Sequence, residues 1–448
     1  MANRPNILWL MTDEQRTDSL GCYESPGART PHLDSLAETG VLFTRAVTPA
    51  PVCVPARTAL LSGEYPCATG VWWNERRLAH LDYLTGAFAQ AGYRTASVGK
   101  QHYGSRNQAF QTERNMAMTG RVHPFYYADA YPAGDYAVVQ YPPEPYPWIL
   151  GGRFPGAVRD TAEAQIVERA LGWLDAHDPA EPFLLRVSFN GPHTPVVPPA
   201  PFDVCMGECE WPAFAWDERD RAHQPSWVRD SLRAFSDSNR LSAEQLRAAR
   251  RYYYGYVSFI DSQCGVLLNE MEKRGLLEDT IIVFLSDHGT HLGDHGLVQK
   301  QTFYDPVVNV PFILSYPRRF QAGRRVRTPV ETRSLLPTLL DFLDLPRRSG
   351  ADSLLPTLLT GEEPDERPVF SEFTLGSFDV RHDDPLVMIR DGKWKLSLCL
   401  NAEGGDGSLH DLDADPSEAV NLFDDPRHLG VREELRAKIL EHHRRHTP

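Results

Sequence analysis

Short apolar runs that alternate with stretches of helical spacing constrain this 448-residue chain more than any other feature. NILWLM (6–11) and VLFTRAV (41–47) read as strands, with a helix from Pro31 to Gly40 between them. LTGAFAQAG reads as a further helix, and YRTASVG as the strand after it. Asp160 to His177 has helical spacing and leads into the strand PFLLRVSF. A long helix covers Ser242 to Arg274 ahead of the strand TIIVFLS, and PFILSYP with a helix from Ser334 to Leu345 completes the pattern. These runs are mainly apolar rather than apolar at every second residue, so both faces of the sheet must be covered. The expected fold is α/β: a large, mainly parallel mixed sheet sandwiched by helices. In such a sheet chemistry gathers beyond the carboxyl ends of the strands.

Two stretches break the rhythm. Residues 103–157 are rich in Tyr, Pro and Gly, and 196–241 are rich in Pro, Trp and Asp with little periodicity. Segments of that length are usually lids or rim insertions. Near Pro364 the character changes again. LVMIRDGKWKLSLCL is a hairpin turning at Asp391-Gly392, HDLDADPSEAVNLFDDP is rich in turns, and Val431 to His443 is a terminal helix. The chain therefore divides into a catalytic domain, 1–364, and a small C-terminal α+β subdomain, 365–448.

The 46 basic and 60 acidic side chains give a net charge of −14, which argues against a nucleic-acid partner but leaves room for a local basic pocket. The N-terminal run NILWLMT is too short to span a membrane, and no small-residue cleavage site follows it. A cytoplasmic location is expected, or a periplasmic one if a leader has been removed, with no membrane partner. The 7 cysteines are an odd, scattered set rather than a disulfide framework. Cys205 and Cys209 resemble half of a zinc site, but no second pair stands at a matching spacing. Cys22 and Cys67 read as buried thiols.

Five short segments carry chemically capable side chains, most of them at or just past a predicted strand end. They are Asp13-Glu14 in MTDEQR, PVCVPARTALLSG (51–63), Lys100 and His102 in GKQHYG, His193 in FNGPHTP, and Asp287-His288 with Lys300 in SDHGTHLGDHGLVQKQ. Singly, each has a bland reading: a carboxylate pair after a strand caps a helix, and a lone histidine or lysine is solvated. Together they bring carboxylates from two strand ends, three kinds of basic group and a cysteine to one sheet edge. That set suits a hard cation and a tetrahedral anion gripped side by side. His291 and His295 lie among glycines, read as loop residues, and are left unassigned.

CVPAR followed by TALLSG resembles the C-x-P-x-R signature of the sulfatase family, within the alkaline-phosphatase-like superfamily. PNILWLMTDEQR, RTPHLDSLAETGVLFTRAVT, SVGKQH, GPHTP, SDHGTHLGDHGLVQK and HDLDADPSEAVNL are similar to family blocks in family order. The resemblance implies that a separate formylglycine-generating enzyme oxidises Cys53 to 3-oxoalanine (formylglycine). One hydroxyl of the aldehyde hydrate then attacks sulfur in line, and the other expels the sulfate.

By the same resemblance, Asp13, Glu14, Cys53, Asp287 and His288 occupy the metal positions. Their carboxylates suit one Ca2+ ion. Glu14 stands where the commonest family pattern has a second aspartate. Arg57 would hydrogen-bond the nucleophile's hydroxyls, and Lys100 and Lys300 would neutralise the sulfate oxygens. His102 would orient the aldehyde diol, and His193 would protonate the leaving oxygen. Asn74, beside Trp72 and Trp73 in the pocket wall, is a candidate sulfate contact. The implied substrate is a carbohydrate, choline-type or aryl sulfate ester. The alternative readings are a phosphonate monoester hydrolase or phosphodiesterase of the same superfamily, or a silent binding protein if Cys53 is never oxidised.

Overall fold

The computed structural model describes residues 4–447 apart from 26, 75–79, 106, 117–138, 142–147, 204–217, 377–380 and 403–404. Its central sheet has eight strands in the order β14 (Arg324–Val326), β2 (Val41–Phe43), β13 (Phe312–Ser315), β9 (Thr280–Ser286), β1 (Asn6–Asp13), β8 (Phe183–Pro192), β4 (Arg94–Gly99) and β5 (Thr112–Asn115). From β9 to β5 all neighbours run parallel, whereas β13 is antiparallel to both β9 and β2. The sheet is thus mixed and mainly parallel, as the alternation of runs and helices requires.

Successive side chains enter two separate cores. Leu8, Leu10, Val98, Val187 and Phe284 pack under α1 (Pro31–Glu38), α5 (Ala162–Ala176) and α7 (Ala243–Lys273). Ile7, Trp9, Met11, Val283 and Leu285 pack under α2 (Cys53–Ser62), α4 (Thr85–Gln90) and α9 (Leu335–Phe342). Two-sided burial is the reason these strands are mainly apolar on both faces rather than on one. The long helix α7 starts where its sequence says. Ser242 Oγ accepts the Gln245 N–H at 3.1 Å, and Gln245 Oε1 accepts the Ser242 N–H at 2.8 Å.

VLFTRAV, expected as one strand, is two. The chain leaves the central sheet at Thr44, whose N–H and Oγ1 both donate to the Val326 carbonyl at 2.9 Å. It continues as β3 (Ala46–Val47), between β12 (Asn309–Val310) and β15 (Val330–Glu331) in a separate three-stranded sheet. Two small pairs, β6 (Val139–Tyr141) with β7 (Trp148–Gly151) and β10 (His291–Leu292) with β11 (Val298–Gln299), lie outside both. Short helices α3 (Pro66–Thr69), α6 (Arg233–Ser236), α8 (Asp305–Val308) and α10 (Leu355–Thr360) fill the connections. The first rim stretch contributes β5 to β7, and the second contributes α6 and helical turns at Glu218–His223 and Trp227–Leu232. Cys205 and Cys209 fall outside the described residues.

The C-terminal subdomain is an antiparallel sheet of β16 (Val369–Gly376), β17 (Arg381–Asp391), β18 (Trp394–Cys399) and β19 (Asp406–Asp411). Across it lies α11 (Leu429–His446), which buries Leu435 and Ile439 against Val387, Ile389, Leu396 and Leu409. The hairpin turn is where Asp391-Gly392 puts it, with Gly392 at φ 56°. No helix among the described residues is long and apolar enough to cross a membrane.

For function, the decisive feature is that β9, β1, β8 and β4 are consecutive and parallel, so their carboxyl ends share one edge. Gly99 ends β4 at φ 100°, a conformation that strains any residue with a Cβ, and an added Cβ would lie 1.9 Å from the Ser188 carbonyl oxygen. The same oxygen accepts the Lys100 N–H at 2.8 Å. Gly99→Ala should therefore cost more than ~2 kcal/mol, from positive-φ strain plus a backbone clash. The check is the urea-unfolding midpoint. An unchanged midpoint would show that the turn tolerates a side chain.

Candidate active site

Cys53 is the first residue of α2, so the unpaired N–H groups at the start of that helix surround its backbone. Asn74, from the following loop, accepts the Val54 N–H on its Oδ1 at 2.9 Å and thereby holds this first turn. Every residue of α2 is buried, and Cys53 is only 1% exposed. Its sulfur is the point on which the other groups converge. Lys300 Nζ lies 3.1 Å away, His288 Nε2 3.2 Å, Asp13 Oδ1 3.7 Å and Lys100 Nζ 3.9 Å. Burial and the Asp13 charge push the Cys53 thiol up, but Lys100, Lys300 and His288 outweigh them and bring it well below its ordinary value.

Each of these groups arrives from a strand end or a tight turn. Asp13 closes β1, and Asp287 with His288 follows β9. Lys100 and His102 follow β4, His193 follows β8, and Lys300 follows β11. Glu14 and His102 hold φ at 62° and 46° respectively. Non-glycine residues accept that strain mainly where the surroundings fix them, as functional sites do.

Arg57 sits one helical turn beyond Cys53 and is fully buried. Its Nε donates to Asp287 Oδ2 at 2.7 Å and its Nη2 to Asp13 Oδ2 at 3.0 Å. Its Nη1 donates to the Lys100 carbonyl at 3.1 Å and to Ser188 Oγ at 2.9 Å. The guanidinium therefore bridges two carboxylates and one turn beside Cys53. Asp13 is held well below the usual carboxylate range: burial raises it, but Lys100, Arg57, His193 and Lys300 together more than offset this. Asp287 goes the other way, because burial and repulsion from Asp13 exceed the pull of Arg57 and His288.

Asp13, Cys53, Asp287 and His288 offer four ligand atoms within 4.8 Å of one another, all buried. His288 Nδ1 hydrogen-bonds the Gly289 carbonyl at 2.9 Å, which leaves Nε2 facing the cluster. Burial lowers the His288 imidazole, yet the charges of Asp287 and Cys53 lift it to about 9. Two buried carboxylates, an imidazole nitrogen and a deprotonated Cys53 side chain form a donor set that fits a divalent cation.

Glu14 stands beside this set. Its carboxylate is ion-paired with Lys300 and lies 3.3 Å from His193 Nε2, forming a second group with Asp13. His193 Nδ1 hydrogen-bonds the Thr194 carbonyl at 2.6 Å. Burial and the two lysines lower the His193 imidazole despite the opposing charge of Glu14. His102 is pulled down to about 4, chiefly by burial, and is neutral at pH 7.

Some supporting residues escaped the sequence reading. Ser188 takes an Arg57 hydrogen bond, and Arg186, fully buried in β8, donates to Ser97 Oγ at 2.9 Å and to Gln101 Oε1 at 2.6 Å. Gln101 Nε2 in turn donates to the Gly99 carbonyl at 3.1 Å, which ties down the turn carrying Lys100 and His102. A charged residue inside the run FLLRVSF was the available signal. Trp72 and Trp73 pack against separate apolar clusters beside the C-terminal sheet. His295 stacks on Tyr304 with centroids 3.7 Å apart, and His291 bonds Thr302 Oγ1 at 2.7 Å, so both are spoken for by packing.

The family profile for sulfatases matches residues 5–345, three quarters of the chain. The chain belongs to the sulfatase family. A second profile, N-sulphoglucosamine sulphohydrolase, C-terminal, matches residues 293–445 of this sulfatase. The choline-sulfatase of Rhizobium meliloti is 30% identical over 453 residues, covering 95% of this chain and 83% of that protein. The ulvan-active sulfatase of Formosa agariphila is 28% identical over 444 residues, covering 97% and 80%. The phosphonate monoester hydrolase of Agrobacterium radiobacter superposes with a TM-score of 0.84 at 25% identity, over 99% of this chain and 96% of that one. The sulfatase is thus a sulfuric-ester hydrolase of the alkaline-phosphatase-like superfamily.

Because Arg57 is shared by Asp13 and Asp287, Arg57→Met would leave two buried carboxylates facing each other. Loss of one partner of a buried ion pair costs ~3–5 kcal/mol. Denaturant unfolding in the presence of a chelator should show a loss of that order. A loss below 1 kcal/mol, on the order expected of an exposed pair, would mean that the bridge contributes little.

Proposed function

We propose that this sulfatase cleaves a sulfate monoester of a sugar, choline-type or aryl alcohol, with a nucleophile made from Cys53. The observation that carries the reading is the ring of Lys300, His288, Asp13 and Lys100 around the Cys53 sulfur. Those groups suit a tetrahedral anion attacked from the α2 terminus. Oxidised to formylglycine by a separate enzyme, Cys53 would supply a hydrate with one hydroxyl to attack sulfur and another to expel sulfate. A divalent cation, which we propose to be Ca2+, held by Asp13, Asp287 and His288 would polarise the nucleophile and a sulfate oxygen.

The chain's own residues do the rest. Lys100 and Lys300 offset the sulfate charge in a site that water scarcely enters. Arg57 holds Asp13 and Asp287 at fixed separation. His102, neutral and beside Cys53, accepts the proton released as the sulfated intermediate collapses. His193 Nε2 donates a proton to the leaving oxygen, with Glu14 favouring the imidazolium form. Asn74 Oδ1 holds the turn that carries the nucleophile, which leaves its Nδ2 to contact the sulfate. The named activities of the choline and ulvan sulfatases support, respectively, a small cationic and a carbohydrate alcohol.

A second reading, hydrolysis of phosphonate monoesters, is favoured by the likeness to the Agrobacterium enzyme. Cys53→Ala should abolish turnover of aryl sulfate, and intact mass should show an aldehyde at Cys53 in the active protein. A higher kcat/KM for an aryl phosphonate than for the matching sulfate would decide for the second reading. Retention of more than a few per cent of activity in Cys53→Ala would remove Cys53 as nucleophile.

Chelation should inactivate the enzyme, and calcium should restore it better than zinc, because most of the proposed donors are carboxylate oxygens. Restoration by zinc alone would overturn the calcium assignment.

The acid role of His193 predicts a dependence on the leaving group. His193→Ala should slow esters of sugar or aliphatic alcohols by ~10²–10⁴-fold, the usual worth of general acid catalysis, and nitrophenyl sulfate far less. The acid must be protonated, so kcat/KM for aliphatic esters should fall as pH rises through a pKa below the ordinary histidine value of 6.5. An equal loss for both ester types would take His193 out of that role.

A further inference from the structure

A second convergence of ligand-type side chains lies away from the catalytic edge, where the N-terminal lobe meets the C-terminal subdomain. Cys67 is in α3, Glu372 in the middle of β16 and His442 in the last turns of α11. All three are buried, at 2%, 0% and 6% exposure. Glu372 Oε2 accepts the Cys67 N–H at 2.9 Å, and Glu372 Oε1 lies 3.4 Å from Cys67 Sγ and in contact with His442 Nε2. One ligand atom from each falls within 4.8 Å of the other two. The catalytic chemistry uses none of them.

Three features bear on what this cluster does. The donors are a thiol, a carboxylate and an imidazole from segments far apart in sequence, brought together by the folded state alone. A tetrahedral zinc site has Zn–S near ~2.3 Å and Zn–N or Zn–O near ~2.0–2.2 Å, so its donors stand roughly 3.3–3.7 Å apart. The 3.4 Å between Cys67 Sγ and Glu372 Oε1 is such an edge. Finally, His446 follows His442 by one helical turn with ring centroids 4.9 Å apart, and is partly open to solvent. Its ring lies outside the three-residue cluster, edge-on to Tyr65 at 4.9 Å, and would complete a four-donor site by turning toward it. The His442 ring is itself fixed, stacked on Phe370 at 3.8 Å and edge-on to Tyr65 at 4.4 Å.

We propose that Cys67, Glu372 and His442, with His446 as the fourth donor, form a structural zinc site that joins α3 to the C-terminal sheet and helix. Burial and the neighbouring Glu372 carboxylate push the Cys67 thiol up, so at rest it keeps its proton. Zinc binding would release that proton to solvent, leaving a thiolate, a carboxylate and a neutral imidazole as ligands. Affinity would accordingly rise with pH.

Cobalt(II) is the probe, because a thiolate ligand gives it a near-ultraviolet charge-transfer band. The titration is made on full-length Cys53→Ala protein, which has no thiol at the catalytic centre. The band should saturate as cobalt is added and vanish when zinc is added in excess. Adding Cys67→Ser, which preserves the hydrogen bond to Glu372, should erase the band. Adding His442→Gln instead should weaken zinc binding by ~10-fold or more, since even outer-sphere partners of a metal ligand are worth that much. Circular dichroism of each variant confirms that it is folded. No thiolate band in Cys53→Ala protein, or a band that survives Cys67→Ser, would overturn the proposal.

Discussion

Asp13 and Asp287 end neighbouring strands deep inside the protein, and their charges repel across the seam that joins β1 to β9. The buried guanidinium of Arg57 makes that juxtaposition tolerable, with one nitrogen on each carboxylate. A Lys in its place could not reach both acids in one plane. Because Arg57 belongs to the helix that begins at Cys53, the same bridge fixes the height and angle of that helix over the sheet. Its remaining donors reach Ser188 on β8 and the carbonyl after β4. One side chain thus ties four neighbouring strands and the nucleophile's helix together.

Around that tie the electrostatics divide into two layers. The inner layer holds Asp13, Asp287 and His288 below Cys53, and suits a cation. The outer layer pairs Lys300 with Glu14 and places His193 against the same carboxylate. Glu14 is one methylene longer than the aspartate of the commonest family pattern, and its charge serves the outer layer. This brings the family's acid-rich N-terminal motif into contact with a lysine and a histidine as well as with Asp13.

Much of this was legible beforehand. The continuous apolar runs of β1, β8 and β9 imply a sheet buried on both sides, and polar residues just past their ends imply an edge rich in function. Cys53, Lys100, His193, Asp287, His288 and Lys300 all come together as their positions suggest. Pairing within the edge was not legible. Whether Arg57 points at its own helix start or at two strand ends depends on the packing of α2, which no local pattern encodes. The hydrogen bond from the Val54 N–H to Asn74 depends likewise on a loop folding back on α2. The break of VLFTRAV into two strands depends on one threonine finding the Val326 carbonyl, a contact made far away along the chain.

Cys53 is buried at 1% exposure, with Arg57, Asn74 and both lysines packed about it. A modifying enzyme must grip a stretch of chain on either side of the thiol it oxidises. In the finished fold that stretch is the first turn of a wholly buried helix and offers no such grip. The conversion proposed for Cys53 would therefore have to precede closure of that helix over the strand ends that carry Asp13 and Asp287. On that proposal, competence as an enzyme would be decided once per molecule, by a race between oxidation and closure, and a chain that closed first would keep its thiol.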